Sequence, residues 1–382
     1  MAHDRNKLVS LAKRLLVHNL NGTTDQADEI MVKPVADYID NEIISSEVNK
    51  IFYDHPVPIA LSAELKENNS YKATKAIDVP LLITRGEDGI VRTFINICKH
   101  RGAPVCPEGN GKKSKFTCTY HGWMYNNEGN LVNIFKSDTF GDIDKSKIKL
   151  TELFCEERSG FIWVCLNPNI KYDINKWMNG FDAELDDIDL KNWHLFKSTK
   201  INGPRWKICW DGYLDGYHHH MVHPETVGKN TIVNLIAHDT YGPHQRFAFG
   251  LKNIDELSDI DEKDWEPENH LRLIHSVFPN SSISAIQNQH CLVSIVFPTP
   301  DLQGTITSQY ILCMKEPKTK EEIKEAEDFT ELSRAAIVDE DYPINFKIQE
   351  SIHSKANTKF LFGKNEPIQQ HYHNWIDKLC NK

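Results

Sequence analysis

Residues 98–125 read CKHRGAPVCPEGNGKKSKFTCTYHGWMY, and this stretch decides the fold. It holds two short loops of one design. Cys98-x-His100 is followed, after seventeen intervening residues, by Cys118-x-x-His121, and a glycine comes soon after each histidine, Gly102 and Gly122. Each loop supplies one thiol and one imidazole. Two Cys and two His at paired short spacings form a metal-ligand set, and a tetrahedral zinc ion is its simplest occupant. A two-iron cluster with two thiolates on one iron and two imidazoles on the other fits the same set. Cys106 lies close by, but the four positions are already filled, so its expected role is that of a small buried packing residue.

Working outward, PLLITRGEDGIVRTFINIC (80–98) places two apolar-rich runs around Gly86-Glu87-Asp88-Gly89, a pattern that predicts a β-hairpin. WMYNNEGNLVNI (123–134) predicts a second hairpin, and GFIWVCLNPN (160–169) a buried strand closed by a turn signal. These elements outline an all-β domain over 45–165. Before it, in a helical segment spanning 1–44, Leu8, Leu11, Leu15 and Leu16 recur at helical spacing, so an amphipathic helix is expected to pack on the larger domain. That larger domain, 166–382, offers a helix near WKICWDGYLDGYHHHMVH (206–223) and strands at CLVSIVF (291–297) and TITSQYILCM (305–314). The reading is α+β, with an antiparallel sheet flanked by helices. The run KTKEEIKEAEDFTELSRAAIV (318–338) predicts a charged helix with a solvated face, to which no chemistry is assigned.

The chain of 382 residues exceeds what one hydrophobic core organises, which also argues for two domains. A formal charge of -10 speaks against an electrostatic grip on nucleic acid or anionic lipid. The nine cysteines are odd in number and scattered, unlike a secreted disulfide framework, so a reducing cytoplasm is expected. No signal-peptide apolar core and no bilayer-length apolar run occur, so no membrane anchor is expected either.

With Trp123, the two loops match the boxes C-x-H-x-G and C-x-x-H-G-[WS], and the segment resembles the Rieske family. The resemblance implies that Cys98, His100, Cys118 and His121 hold a [2Fe-2S] cluster, with Trp123 shielding it from water. Rieske proteins of respiratory complexes carry an extra cysteine in each box that forms a bracing disulfide. Ala103 and Tyr120 stand in those places, so the likeness is to ferredoxins and oxygenases.

A cluster domain alone leaves most of the chain unexplained. WKICWDGYLDGYHHHMVHP (206–224) carries four histidines, 218, 219, 220 and 223, with Asp211 and Asp215 upstream. Enzymes that activate O2 at non-haem Fe(II) use two His and one carboxylate on one face of the metal. His218 and His223 could supply the imidazoles. Five residues turn about 500° of ideal helix, about 140° out of register, so a shared metal needs a bulge or helix end between them, and Pro224 favours an end. The segment resembles the catalytic motif of Rieske non-haem iron oxygenases, aromatic-ring-hydroxylating dioxygenases among them, through Trp206, Lys207, Asp211, Asp215, Tyr217, His218 and His223. Gly212 departs from it, since many members have Asn there, so any role of that amide is absent or filled otherwise. His219 and His220, which fall between the ligand positions, are expected to be partly exposed or to hydrogen-bond beside the ligands rather than to ligate. The third ligand is sought among Asp339, Glu340 and Asp341. The family's later motif, E-D followed by Gln, matches Glu340-Asp341 with Gln349, and Asp341 is chosen. Asp341 could also cap a helix beginning near Tyr342-Pro343.

The resemblance implies a terminal oxygenase α subunit holding one [2Fe-2S] cluster and one mononuclear iron. An NAD(P)H-dependent reductase, directly or through a ferredoxin, supplies electrons. Asp215 bridges the iron-ligating His218 to a cluster histidine of a neighbouring copy, and the family's usual assembly is a homotrimer, with a separate β subunit left open. The substrate is expected to be a small aromatic or hydrophobic compound that is mono- or dioxygenated. Oxidative N- or O-demethylation is the alternative within the family, and a non-catalytic Rieske electron carrier the alternative outside it.

Overall fold

Where Gly86-Glu87-Asp88-Gly89 predicts a turn, the chain reverses. Val79–Arg85 pairs antiparallel with Val91–Ile95, with Arg85 opposite Val91. The Gly86 N–H donates to the Ile90 carbonyl, and the Asp88 carboxylate accepts from the Ile90 N–H. The second expected hairpin also forms, Met124–Asn126 against Leu131–Asn133. The computed structural model describes residues 4–287 and 289–381. The chain divides into two compact units, Phe52–Ile174 and, separately, the chain up to Ile51 together with everything from Asn175 onward.

The unit Phe52–Ile174 is built from three small antiparallel sheets. One runs in the order Glu152–Leu153, Val91–Ile95, Val79–Arg85, Ser70–Ala76, Gly109–Lys112. A second joins Cys155–Arg158, Phe161–Val164 and Val57–Leu61, and a third joins Lys115–Thr117, Met124–Asn126 and Leu131–Asn133. The buried strand expected at 160–169 is Phe161–Val164, every residue of it buried. Ala73, Leu82, Phe94, Phe116, Trp123, Tyr125 and Leu131 form one core with Cys98, Cys106 and Cys118. Both metal loops are therefore rooted in apolar packing.

The other unit is organised on a seven-stranded antiparallel sheet. Its order is His194–Gly203, Thr305–Cys313, His290–Pro298, Ser281–Gln287, Leu271–Val277, His244–Leu251, Thr231–Tyr241. Helix Arg5–Asn21 starts at the Asp4 cap and buries Leu8, Leu11, Leu15 and Leu16 among Leu235, Ala237, Ala248 and Leu257. The charged helix forms at Lys320–Arg334 behind a Thr319/Glu322 capping box. It does not stop there: a π-helical stretch, Ala335–Asp341, runs directly into helix Tyr342–Ser351. Pro343 lacks the N–H that an α-helix interior needs and its ring crowds the preceding turn. The wider π turn just before it accommodates both. No helix among the described residues is long and apolar enough to cross a membrane.

Candidate metal centres

The two loops of Phe52–Ile174 are near copies in hydrogen bonding. The Cys98 N–H donates to the Ala103 carbonyl and the Gly102 N–H to the Cys98 carbonyl; the Cys118 N–H donates to the Trp123 carbonyl and the Gly122 N–H to the Cys118 carbonyl. Gly102 and Gly122 turn with φ of 76° and 70°, where a side chain is disfavoured. Both thiols are buried, and the His100 and His121 rings lie 4.6 Å apart. His100 stacks on Trp123 with ring centroids 5.0 Å apart. Its Nδ1 is buried without a hydrogen-bond partner, a donor atom that a metal would satisfy. Burial, and then the neighbouring Cys118 thiol, hold the Cys98 thiol above its ordinary pKa, against the opposing pull of Tyr125. These four side chains fit a [2Fe-2S] cluster.

Sequence reading overlooked two supports of the cradle. The Tyr125 hydroxyl lies 3.4 Å from the Cys98 sulfur and accepts from the Lys99 N–H at 3.0 Å. The Asn96 side chain accepts from the N–H groups of Val105 and Cys106 and donates to the Cys106 carbonyl. Cys106 packs in the core, as its role of packing residue requires.

In the other unit, helix Trp206–Leu214 ends at Asp215, whose backbone is extended, and a single turn, His219–Val222, follows. Asp215 and His218 thus do not share a helix face; they meet across the break, with Asp215 Oδ2 3.1 Å from His218 Nδ1. The short turn closes at His223, the helix end that the ligand geometry demanded. His218 Nε2 and His223 Nε2 come within 3.1 Å of one another. Asp341 Oδ1 lies 3.2 Å from the first and 2.9 Å from the second. Adjacent ligands of one octahedral metal, each at about 2.1 Å, stand about 3 Å apart, so the three atoms have the spacing of a facial set. Burial pushes the His218 imidazole down, and Asp215 and Asp341 more than reverse it, to about 9. Binding a cation here would release protons.

The remaining candidates separate cleanly. Asp339 is exposed and paired with Arg334. Glu340 meets the far nitrogen of the second imidazole, its Oε2 2.7 Å from His223 Nδ1, and also accepts from the Thr226 hydroxyl at 2.6 Å. Placed there, it would orient His223 as a ligand rather than ligate a metal itself. Asp341 caps nothing, since helix runs through it. His219 is buried edge-on to Phe249, its pKa lowered to about 3 by burial first and then by its histidine neighbours, and His220 is exposed. Gln349 accepts from the Arg205 N–H at 2.6 Å, at the start of helix Trp206–Leu214. A Cβ on Gly212 would lie 2.7 Å from Asn345 Nδ2, so the buried amide of Asn345 occupies the space a side chain at 212 would need. Asp211 accepts from the Tyr38 hydroxyl and pairs with His373, each at 2.7 Å.

A cavity of about 280 Å³ opens on this triad. The sheet contributes Phe249, Leu251, Ile274 and Leu292 to its wall. Phe329, Leu332 and Ile337 come from the charged helix and its π extension, which corrects the reading of that helix as having no part in the chemistry. Its solvated face is real, but its other face covers the cavity.

A Rieske-type cradle and a two-histidine, one-carboxylate set define a class of iron-dependent redox proteins. Residues 190–382 match the family described as the ring hydroxylating alpha subunit (catalytic domain), and residues 55–143 match the Rieske [2Fe-2S] domain. The chain belongs to the ring-hydroxylating alpha-subunit family. Its two domains bring one [2Fe-2S] cluster and one mononuclear non-haem iron. The chain is 30% identical over 197 residues to a carnitine monooxygenase oxygenase subunit of Escherichia coli K12, covering 50% of this chain and 52% of that one. It is 30% identical over 213 residues to the chloroplastic choline monooxygenase of Beta vulgaris, covering 54% and 47%. The matched stretch thus spans about half the length of these relatives. Among solved structures, a quaternary ammonium Rieske monooxygenase with a bound inhibitor superposes with a TM-score of 0.80 at 21% identity, covering 92% of this chain and 96% of the other. Naphthalene 1,2-dioxygenase from Rhodococcus sp. gives 0.70 at 18% identity, with each chain covered in full (100%). At those identities the likeness is one of fold.

Proposed function

We propose that this chain is the terminal oxygenase component of a Rieske system that hydroxylates a methyl group or other carbon attached to nitrogen in a small N-methylated compound. The observation that carries the reading is the convergence of His218 Nε2, His223 Nε2 and Asp341 Oδ1 within about 3 Å on the wall of a cavity. Relatives named for carnitine, choline and glycine betaine support a quaternary ammonium substrate over the aromatic one expected from the family motif. Tyr213, Phe249 and Phe329 line the cavity, and aromatic faces attract such cations. The apolar remainder of the wall favours a second reading, oxidation of a neutral hydrophobic compound.

When bound, the cluster supplies single electrons and the iron supplies the site at which O2 is reduced. Cys98, Cys118, His100 and His121 hold the first; His218, His223 and Asp341 hold the second. Asp215 fixes the tautomer of His218 by accepting from Nδ1 and is the bridge toward a cluster histidine of a neighbouring copy, in a homotrimer fed by an NAD(P)H-dependent reductase. Glu340 holds His223 in the same manner, and the apolar walls keep bulk water from the reacting carbon. One oxygen atom enters the C–H bond; the other leaves as water with two electrons and two protons. The hydroxylated carbon then parts from nitrogen as an aldehyde, releasing the amine and a proton.

The test is product analysis under labelled O2 with a reductase and a trimethylammonium substrate, for the natural chain and for His218→Ala and His223→Ala. Labelled product, lost in both variants with the [2Fe-2S] absorbance intact, is expected. Turnover that survives both substitutions would remove the mononuclear site from the reaction. Oxidation of aromatic hydrocarbons alone would favour the second reading.

A further inference from the structure

The cavity wall holds one Lys or Arg side chain among its described residues, Arg272. It is the second residue of strand Leu271–Val277 and stands directly opposite Phe249 in the register with His244–Leu251. Residues opposed in an antiparallel pair share a sheet face. Phe249 and Ile274, two residues on from Arg272, both line the cavity, so Arg272 rises from the face that looks toward the metal-ligand set. One guanidinium nitrogen donates to the carbonyls of Glu268 at 3.3 Å and Leu271 at 3.0 Å, which steadies the group and brings it no countercharge.

Burial alone acts on this guanidinium, pulling its pKa below the ordinary value, and no acid among the described residues opposes it. The one carboxylate in the cavity lining, Asp341, is engaged with two imidazoles. A half-buried cation without a partner is costly unless an anion meets it. A planar fork with donors to spare matches a carboxylate or sulfonate, and a cavity of about 280 Å³ suits a small one.

Resting on the reading above, we propose that Arg272 anchors an anionic group of the substrate. The substrate class is then a small organic zwitterion or anion, held by its acidic end so that its N-methyl end lies between the aromatic side chains and the His218, His223, Asp341 set. Arg272 sets specificity and takes no part in bond making or breaking.

The experiment is anaerobic calorimetric titration of the holoprotein with two matched ligands, a short-chain trimethylammonium carboxylate and the alcohol of the same chain length. The natural chain is expected to favour the carboxylate by on the order of 10–100-fold, the range of a charge-assisted fork. Arg272→Gln should abolish that preference without weakening binding of the alcohol, while Arg272→Lys, which keeps the charge and loses the fork, should retain part of it. If Arg272→Gln fails to fold, selective weakening of the carboxylate in Arg272→Lys carries the test. Equal binding of both ligands by the natural chain, no binding of either, or a preference that persists in Arg272→Gln or is undiminished in Arg272→Lys would overturn the proposal. Failure of the oxygenation chemistry would register separately, as an anion preference without labelled product.

Discussion

Glu340 and Asp341 are neighbours in sequence with different tasks, and the difference lies in which imidazole nitrogen each one meets. Asp341 faces both Nε2 atoms, where a metal would sit, while Glu340 accepts from Nδ1 of His223 on the outer side. Outer carboxylates of this kind fix ring orientation and raise ligand basicity, and their loss typically lowers metal affinity by about 10–100-fold. Glu340→Gln should therefore bind iron more weakly by that order in a chelator competition, whereas Asp341→Ala should retain no mononuclear iron. Both variants should keep the cluster absorbance of the natural chain. Iron retention in Glu340→Gln equal to that of the natural chain would leave Glu340 a mere cap for Thr226.

At the scale of elements, the site depends on holding helix Trp206–Leu214 against the helix that carries Asp341. Gln349 reaches the start of the first helix, Tyr342 places its hydroxyl against Cys209 and Thr307, and Asn345 fills the space beside Gly212. On its other side the first helix is fastened by Lys207, whose ammonium pairs with Glu47 of helix Asn41–Val48; the two side chains are 3% and 1% exposed. Removing one partner of a buried pair costs about 3–5 kcal/mol, while replacing both by apolar groups is close to neutral. Lys207→Ala should lower stability by that amount in denaturant unfolding of the catalytic unit, and Lys207→Met with Glu47→Leu should recover most of it. A loss below about 1 kcal/mol in the single variant would mean that the pair is not what holds the helix.

At the scale of the molecule, the cradle and the triad belong to separate units, each with its own core. Among the described residues, the core around Cys98 and Cys118 draws on residues from Tyr71 to Leu150. A unit with its own hydrophobic core can fold alone. The isolated segment Phe52–Ile174, expressed with iron and sulfide available, should therefore show the [2Fe-2S] absorbance; a colourless, unfolded fragment would show that the core depends on the rest of the chain.

What could be read from the sequence shares one physical property: the signals are local. Both hairpins, the amphipathic first helix, the Cys98/His100 and Cys118/His121 loops and the His218/His223 pair each lie within a short stretch that signals them, although the pair meets only because a short helical turn closes at His223. Tertiary structure decided what depends on residues far apart. Residue spacing could not tell Asp339, Glu340 and Asp341 apart, because the choice rests on a π turn that aims each carboxylate differently across a sequence gap of 117 residues from His223 to Glu340. Nor could it reveal that Asn345 fills the space at Gly212, that a charged helix roofs the cavity with its other face, or that Arg272 lies in that cavity's wall with no acid partner among the described residues. Those relations arise only when strands and helices pack, since packing brings together side chains that no local spacing relates.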